Sequence, residues 1–241
     1  MKKIEQYEAV SKIYSRLMTD VNYESWAEYL LAIYEDFECT GKRFLELAGG
    51  NCILAGELIK SGYDVITSDL SFPMLSRKEC GGIGRVCCNM TNLPFNSKFD
   101  FIFSAFDSVN YLLSESELHS LFNEAGRVLS SDGIFTFDVS LENNSLNNLQ
   151  HLNREDEFEN LKYKQKSVYL KDERIHINEF EISIGEEIFK EVHKQKIYPF
   201  ETYFEIVEDS PLYVSECFDA FTFEDGSPES SRVQFVLKRK V

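Results

Sequence analysis

The residues best placed to do chemistry lie in two short stretches. Glu46 sits in the apolar run Phe44-Leu45-Glu46-Leu47, and Ala48-Gly49-Gly50-Asn51-Cys52 follows as a tight turn of small residues. Asp69 stands 23 positions after Glu46, at the end of a second run, Val65-Ile66-Thr67-Ser68. Read as strand, glycine turn, helix, strand and acid, this order brings the turn and the carboxylate to one edge of a parallel sheet. Small residues let the backbone approach a ligand closely, and the amides at a helix start favour its polar end. An acid at the end of the second strand accepts hydrogen bonds from ribose hydroxyls. Together these features point to an adenosine-containing ligand. Asp69 has a second reading, compatible with the first, as the N-cap of a helix over 71–76.

Two later segments reach the same edge. In Val86-Cys87-Cys88-Asn89-Met90 a polar and then an apolar residue follow a third strand, which suits an adenine ring, with Asn89 at its exocyclic amine and Met90 on its face. In Phe99-Asp100-Phe101-Ile102-Phe103-Ser104-Ala105-Phe106-Asp107-Ser108-Val109-Asn110-Tyr111 an apolar strand runs straight into a polar cluster.

The elements that must hold these residues follow from hydrophobic periodicity. Ile4, Tyr7, Val10, Ile13, Tyr14, Leu17 and Met18 predict a helix over 4–18, and Trp26, Leu30, Ile33, Tyr34 and Phe37 predict another over 24–37. The pattern then alternates: strand 43–47, helix 53–61, strand 64–68, helix 73–79, strands 84–87 and 99–104, helix 115–129 and strand 133–139. Such alternation predicts an α/β fold, a doubly wound and mostly parallel sheet of seven strands with helices on both faces. Residues 142–160 read as a loop or short helix, and 161–170, 174–184 and 187–197 as an antiparallel meander inserted over the active face. A helix after Pro199 and a hairpin of 213–223 and 231–239 close the sheet, with 231–239 antiparallel to its neighbours. The whole reads as a single domain over 1–241: a helical lid over 1–38, a cofactor-binding core over 43–139, the insertion over 161–197 and the closing hairpin over 213–239.

Composition narrows the partners. A formal charge of −16 disfavours nucleic acid and favours small molecules. The apolar runs are far shorter than the ~20 residues of a membrane span, and the opening residues lack an apolar signal core, so a cytoplasmic protein is expected. Six cysteines and four histidines show no metal-ligand spacing; no metal is expected, and the cysteines read as reduced buried thiols.

With Asp107-Ser108-Val109-Asn110-Tyr111 after the fourth strand, the chain resembles the class I S-adenosylmethionine-dependent methyltransferases, in particular a small bacterial branch with Asp-Ser-x-Asn-Tyr at this point. The entry Tyr14-Ser15-Arg16-Leu17-Met18-Thr19-Asp20-Val21-Asn22-Tyr23-Glu24-Ser25-Trp26 and the late Pro228-Glu229-Ser230-Ser231-Arg232-Val233 extend the likeness over almost the whole chain. The resemblance implies S-adenosylmethionine as cofactor and methyl transfer as activity. By position, Glu46, Ala48, Gly49 and Gly50 would shape its methionine end and Asp69 would hold both ribose hydroxyls. Leu70 would pack on the adenine and Asn89 with Met90 would frame it. Phe106 would lie by the methionine moiety, and Tyr14 and Trp26 would belong to the helical lid. Two positions depart from the family pattern, which has glycine where Cys52 stands and commonly aspartate where Asn89 stands. Cys52 is expected to push the backbone away from the cofactor.

Methyl transfer from a sulfonium needs mainly alignment, so no catalytic triad is expected. His193 is the best candidate base, with a partly exposed strand residue as the plain alternative; Tyr111 and Tyr23 could orient an acceptor or simply pack. The meander, with Phe180, Phe189 and Tyr198, is expected to wall the acceptor side, or else to form a homodimer interface. The main functional expectation is a methyltransferase acting on a small molecule. The alternatives are a non-catalytic binding protein with a degenerate pocket and a tRNA or protein methyltransferase.

Overall fold

The computed structural model describes residues 2–149, 151–158 and 160–240. Its central sheet comprises β2 (Arg43–Leu47), β3 (Asp64–Asp69), β4 (Gly84–Cys87), β5 (Phe99–Ser104), β6 (Leu129–Ser140), β11 (Leu212–Asp219) and β12 (Arg232–Arg239). The spatial order is β11-β12-β6-β5-β2-β3-β4, with β12 antiparallel to both neighbours and β2 to β6 parallel. Strand order reverses between β2 and β5, and in open sheets of this kind a ligand crevice opens at that point.

The residues explain the layers. Along the central strands β2, β5 and β6 successive buried side chains enter opposite cores, as the pleat requires. Leu45, Leu47, Ile102, Phe135 and Phe137 enter one core beneath α5 (Glu115–Val128) and α7 (Phe200–Glu208). Phe44, Phe101, Phe103 and Ile134 enter the other, against α2 (Tyr23–Asp36) and α3 (Ile53–Lys60). Each fully buried phenylalanine stabilises the fold by roughly 1.5–3 kcal/mol relative to exposure. Local signals set the helix starts: Asn22 caps α2 by accepting from Ser25 N at 3.0 Å, and Ser114 with Glu117 forms a capping box on α5.

A second sheet carries β1 (Lys2–Lys3), β7 (Arg154–Phe158), β8 (Leu161–Leu170), β9 (Ile175–Ile184) and β10 (Glu187–Lys196), in the order β1-β10-β9-β8-β7. The three-stranded meander is therefore the middle of a five-stranded sheet. Its inner face packs on α1 (Val10–Leu17) through Val10, Ile13, Tyr163, Phe180 and Ile182.

Four elements differ from expectation. The helix over 4–18 begins only at Val10, because Tyr7 has φ 62° and the buried Glu191 carboxylate receives the N–H groups of Tyr7, Ala9 and Val10. The helix over 73–79 is one turn, α4 (Phe72–Leu75), followed by a 3₁₀ turn Lys78–Cys80, with Arg77 extended between them. Residues 142–160 hold α6 (Glu142–Asn148) as well as β7, whose alternation is hidden by charges. Strand β11 ends at Asp219 rather than 223.

Candidate active site

The turn after β2 is built for close approach. Ala48, Gly50 and Cys52 all adopt left-handed backbone, with φ 55°, 55° and 61°. At Gly49 a Cβ would lie 1.9 Å from Thr67 Oγ1 and 2.2 Å from Glu46 Oε2, so no side chain fits. Gly50 N donates to Asp69 Oδ2 at 2.8 Å, and Ser71 N donates to Asp69 Oδ1 at 2.7 Å. Asp69 thus ties the glycine turn to the start of α4 and is not its N-cap; that role belongs to Ser71, whose Oγ accepts from Met74 N at 3.3 Å. Burial raises the Asp69 carboxyl above its ordinary range, against those two hydrogen bonds.

A cleft of about 650 Å³ opens at this edge. Tyr14, Ala48, Gly50, Asp69, Leu70, Asn89, Met90 and Phe106 line it, eight of the expected ligand residues brought together from five separate segments. Leu70 and Phe72 stand 70% and 68% exposed beside Asp69, an apolar pair suited to a flat ring. Asn89 differs from expectation in one respect: its Oδ1, expected to accept from the adenine amine, already accepts from Thr91 N at 3.0 Å, and its amide N–H groups make no hydrogen bond among the described residues.

Glu46 and Gly49 line a small cavity of about 20 Å³ that shares Tyr14, Ala48, Phe106 and Ser108 with the cleft. Glu46 is buried and accepts from Thr67 Oγ1 at 2.5 Å; burial pushes its carboxyl up to about 8, with the Asp69 charge adding to the rise. Two buried donors at this cavity, Asn51 Nδ2 and Tyr23 Oη, have no hydrogen-bond partner among the described residues.

Other expected residues lie elsewhere. Trp26 lines neither space: it is buried in the core of α2 and α3, its ring 4.6 Å from the Phe106 ring, because α2 packs against the central sheet and only the segment around α1 covers the cleft. No residue of the meander lines the cleft either. Phe180 is buried against α1, Tyr198 lies in the main core, and Phe189 flanks Lys2 and Lys12. The second sheet acts at one remove, by holding the segment that carries Tyr7 and Glu8 into the cleft wall. Sequence reading missed Tyr7 because its spacing matched a helix, and missed Asn51 although it adjoins the glycine turn.

Cys52 also departs from expectation. It is fully buried, lines neither space and is joined by a disulfide to Cys80, with Cα atoms 5.1 Å apart. The two cysteines are 28 residues apart in sequence, so no short motif announces the pair, and the reading of all six as reduced thiols does not hold for these two.

The polar cluster after β5 is locked from behind. Asp107 (φ 49°) donates its N–H to Asp138 Oδ2 at 2.8 Å and accepts from Ser140 Oγ at 2.5 Å. Asn110 bonds Ser140 O, Ser140 N and Lys196 O, and so fastens the loop to both sheets. These bonds aim Ser108 and Tyr111 into the cleft.

Comparison with known proteins agrees with this geometry. A family model described as a methyltransferase domain matches residues 45–137. An S-adenosylmethionine-dependent methyltransferase from Clostridium acetobutylicum ATCC 824 has the same fold, with TM-score 0.80 at 22% identity over 98% of this chain and 99% of that one. A protein of Geobacillus sp. (strain WCH70), named "Putative methyltransferase", is 30% identical over 97% of this chain and 99% of its own length. The chain belongs to the class I S-adenosylmethionine-dependent methyltransferases. The fold of this methyltransferase is shared at TM-score 0.74 and 16% identity by a sugar N-methyltransferase from Streptoalloteichus sp. ATCC 53650, over 95% and 92% of the two chains. The orphaned donors Asn51 Nδ2 and Tyr23 Oη beside buried Glu46 fit the amino-acid end of S-adenosylmethionine, and exposed Leu70 and Phe72 fit its base.

Proposed function

We propose that this methyltransferase acts on a small-molecule acceptor in the cytoplasm. The carrying observation is the cleft: about 650 Å³, with Tyr7 and Tyr14 in its wall, a size suited to the cofactor and a small partner. The charge of −16 and a cleft lining without lysine or arginine support a partner other than tRNA. Among the described residues no helix is long and apolar enough to cross a membrane.

In this reading Asp69 holds the ribose hydroxyls, Leu70 and Phe72 flank the adenine, and Asn89 donates to its edge. Glu46 and Asn51 receive the ammonium and carboxylate of the methionine end, with Ala48, Gly49 and Gly50 admitting it closely. When bound, S-adenosylmethionine supplies a methyl group on a sulfonium, already a good leaving group. The protein's task is then to align an acceptor, exclude water and dispose of a proton. The degenerate-pocket alternative loses one of its two motives, since Cys52 faces away from the cleft; the other, Asn89 in place of the family's aspartate, stays in the lining. Calorimetric titration with S-adenosylmethionine and S-adenosylhomocysteine tests the reading. Micromolar binding sustains it, and absence of binding returns the chain to the non-catalytic class.

A further inference from the structure

A line of hydrogen bonds runs from the cleft into the second sheet, and the cofactor site as described makes no use of it. Tyr7 and Tyr111 both line the cleft. The Tyr7 hydroxyl donates to Tyr111 Oη at 2.8 Å, Tyr111 Oη lies 3.2 Å from His193 Nδ1, and His193 Nε2 lies 3.1 Å from Glu191 Oε2. His193 and Glu191 are 2% and 0% exposed. The Tyr7 ring stands edge-on to the imidazole at 4.6 Å, and Phe180 closes its other side at 5.2 Å.

The directions of these bonds follow from chemistry. A carboxylate that receives the N–H groups of Tyr7, Ala9 and Val10 has only acceptor capacity, so His193 Nε2 carries the hydrogen toward Glu191. Nδ1 is then an acceptor and takes the hydroxyl hydrogen of Tyr111. Tyr111 in turn accepts from Tyr7. Every hydrogen points inward, and the Tyr7 oxygen is left with lone pairs and no donor among the described residues. Tyr7 holds this place with left-handed backbone, an unfavourable state for a bulky residue that Glu191 sustains through the Tyr7 N–H. Such strain beside a cleft is a marker of function.

The lining of the cleft adds an independent observation. It includes Glu5, Glu8, Asp69 and Glu117, and no lysine, arginine or histidine. Glu117 is committed to capping α5 and Asp69 to the glycine turn, whereas Glu5 and Glu8 are exposed and have no ion-pair partner among the described residues. A lining of this sign repels carboxylates and phosphates and draws cations.

We propose that the methyl acceptor is an amine that arrives as its ammonium ion, drawn in by Glu5 and Glu8, and that Tyr7, Tyr111 and His193 carry its proton away from the cleft. The inference rests on the methyltransferase reading above. One N–H bond of the ammonium breaks and its proton passes to Tyr7 Oη; the Tyr7 proton passes to Tyr111 Oη, and the Tyr111 proton to His193 Nδ1. Nitrogen keeps the electron pair and becomes the nucleophile for the methyl carbon. The imidazolium is held by Glu191 and returns its proton to solvent after product leaves. Tyr7 would touch the acceptor; His193 and Glu191 are positioning residues. Around Tyr111 stand Asp69 on β3, Asp107 after β5, Glu191 and His193 on β10, Tyr7, and Tyr14 on α1, while the nearby Arg232 is paired with Asp107 and Asp138. Burial raises both tyrosines far above their ordinary range, so they relay protons as neutral hydroxyls rather than serve as phenolates.

The experiment incubates the full chain and S-adenosylmethionine with benzylamine and cyclohexylamine, and separately with benzyl alcohol, cyclohexanol and benzoate. It reads S-adenosylhomocysteine release and product mass. Methylation of an amine, and not of the alcohols or benzoate, is expected. Tyr111→Phe and His193→Gln should bind S-adenosylmethionine like the parent, melt close to it, and lose roughly 10²-fold or more in kcat at neutral pH. The loss should shrink as pH rises toward the amine's own pKa, where free base arrives unaided; a merely structural role would not move that profile. Preference for an alcohol or benzoate, no amine turnover by protein that binds S-adenosylmethionine, or a Tyr111→Phe profile parallel to the parent's overturns the inference. Failure to bind S-adenosylmethionine at all removes the methyltransferase reading and the inference with it, and the titration identifies that case.

Discussion

Arg232 reaches from the last strand to Asp107, which lies between the cleft-lining Phe106 and Ser108 and 125 residues earlier in the chain, with Nη2 3.1 Å from Oδ2. The same guanidinium pairs with Asp138, which is fully buried on β6. Burial raises the Asp138 carboxyl to about 6 even with Arg232 beside it, so the pair of acids depends on this one cation. Arg232→Leu should therefore destabilise the fold by about 3 kcal/mol, the scale for stranding a buried charge. Urea unfolding measures it, and a loss well under 1 kcal/mol would show that the acids simply take up protons.

Asp69→Ala should weaken S-adenosylmethionine binding by roughly 1.5–3 kcal/mol, the scale of hydrogen bonds to a charged group. The variant also frees Gly50 N, so the glycine turn should exchange its amide hydrogens faster. Calorimetry and hydrogen exchange separate the two effects. Parent-like affinity with a loosened turn would confine Asp69 to a structural role.

If Glu46 receives the ammonium of the cofactor as proposed, binding should depend on pH. Burial pushes the Glu46 carboxyl up to about 8, which favours the protonated form in the free protein at neutral pH, and a neighbouring ammonium would favour the ionised form. Binding should then release a proton, and affinity should rise with pH up to about 8 and level off beyond. Titrations in buffers of different ionisation enthalpy count the proton. Glu46→Gln should flatten the curve, and a flat curve in the parent would place the ammonium elsewhere.

Cys52→Gly should leave cofactor affinity unchanged, contrary to the tightening expected from the family pattern alone, because the side chain faces Cys80 and not the cleft. Loss of the cross-link should cost about 2–4 kcal/mol, offset in part by relief of the left-handed backbone at this residue. Thermal melts with and without reductant check this: the parent should fall toward the variant on reduction. Equal melts under both conditions would show the pair to be reduced in solution.

The parallel core was legible because its signals are local. The runs Phe44–Leu47 and Phe99–Ser104, the small-residue turn at 48–50 and the acid at 69 each state a strand, a turn or a strand end within a few residues, and a parallel sheet with right-handed crossovers leaves few ways to assemble them. Ala48, Gly50, Asp69, Asn89 and Met90, expected from the order of strands and turns, line the cleft for the same reason; Tyr14, Leu70 and Phe106, which line it too, were expected from the family resemblance.

Only the tertiary structure could decide the rest, where partners lie far apart in sequence. Tyr7 falls on a helical spacing, yet it is turned out of the helix by Glu191, 184 residues away. Cys52 has the sequence context of a cofactor contact, but Cys80 and the α3 core draw it inward. Trp26 and the aromatic residues of the meander have the composition of pocket walls, and burial against helices claims them instead. Periodicity reports which face of an element is apolar; it does not report what that face meets. Long-range hydrogen bonds to buried carboxylates, the Cys52–Cys80 cross-link and packing against helices settled that here.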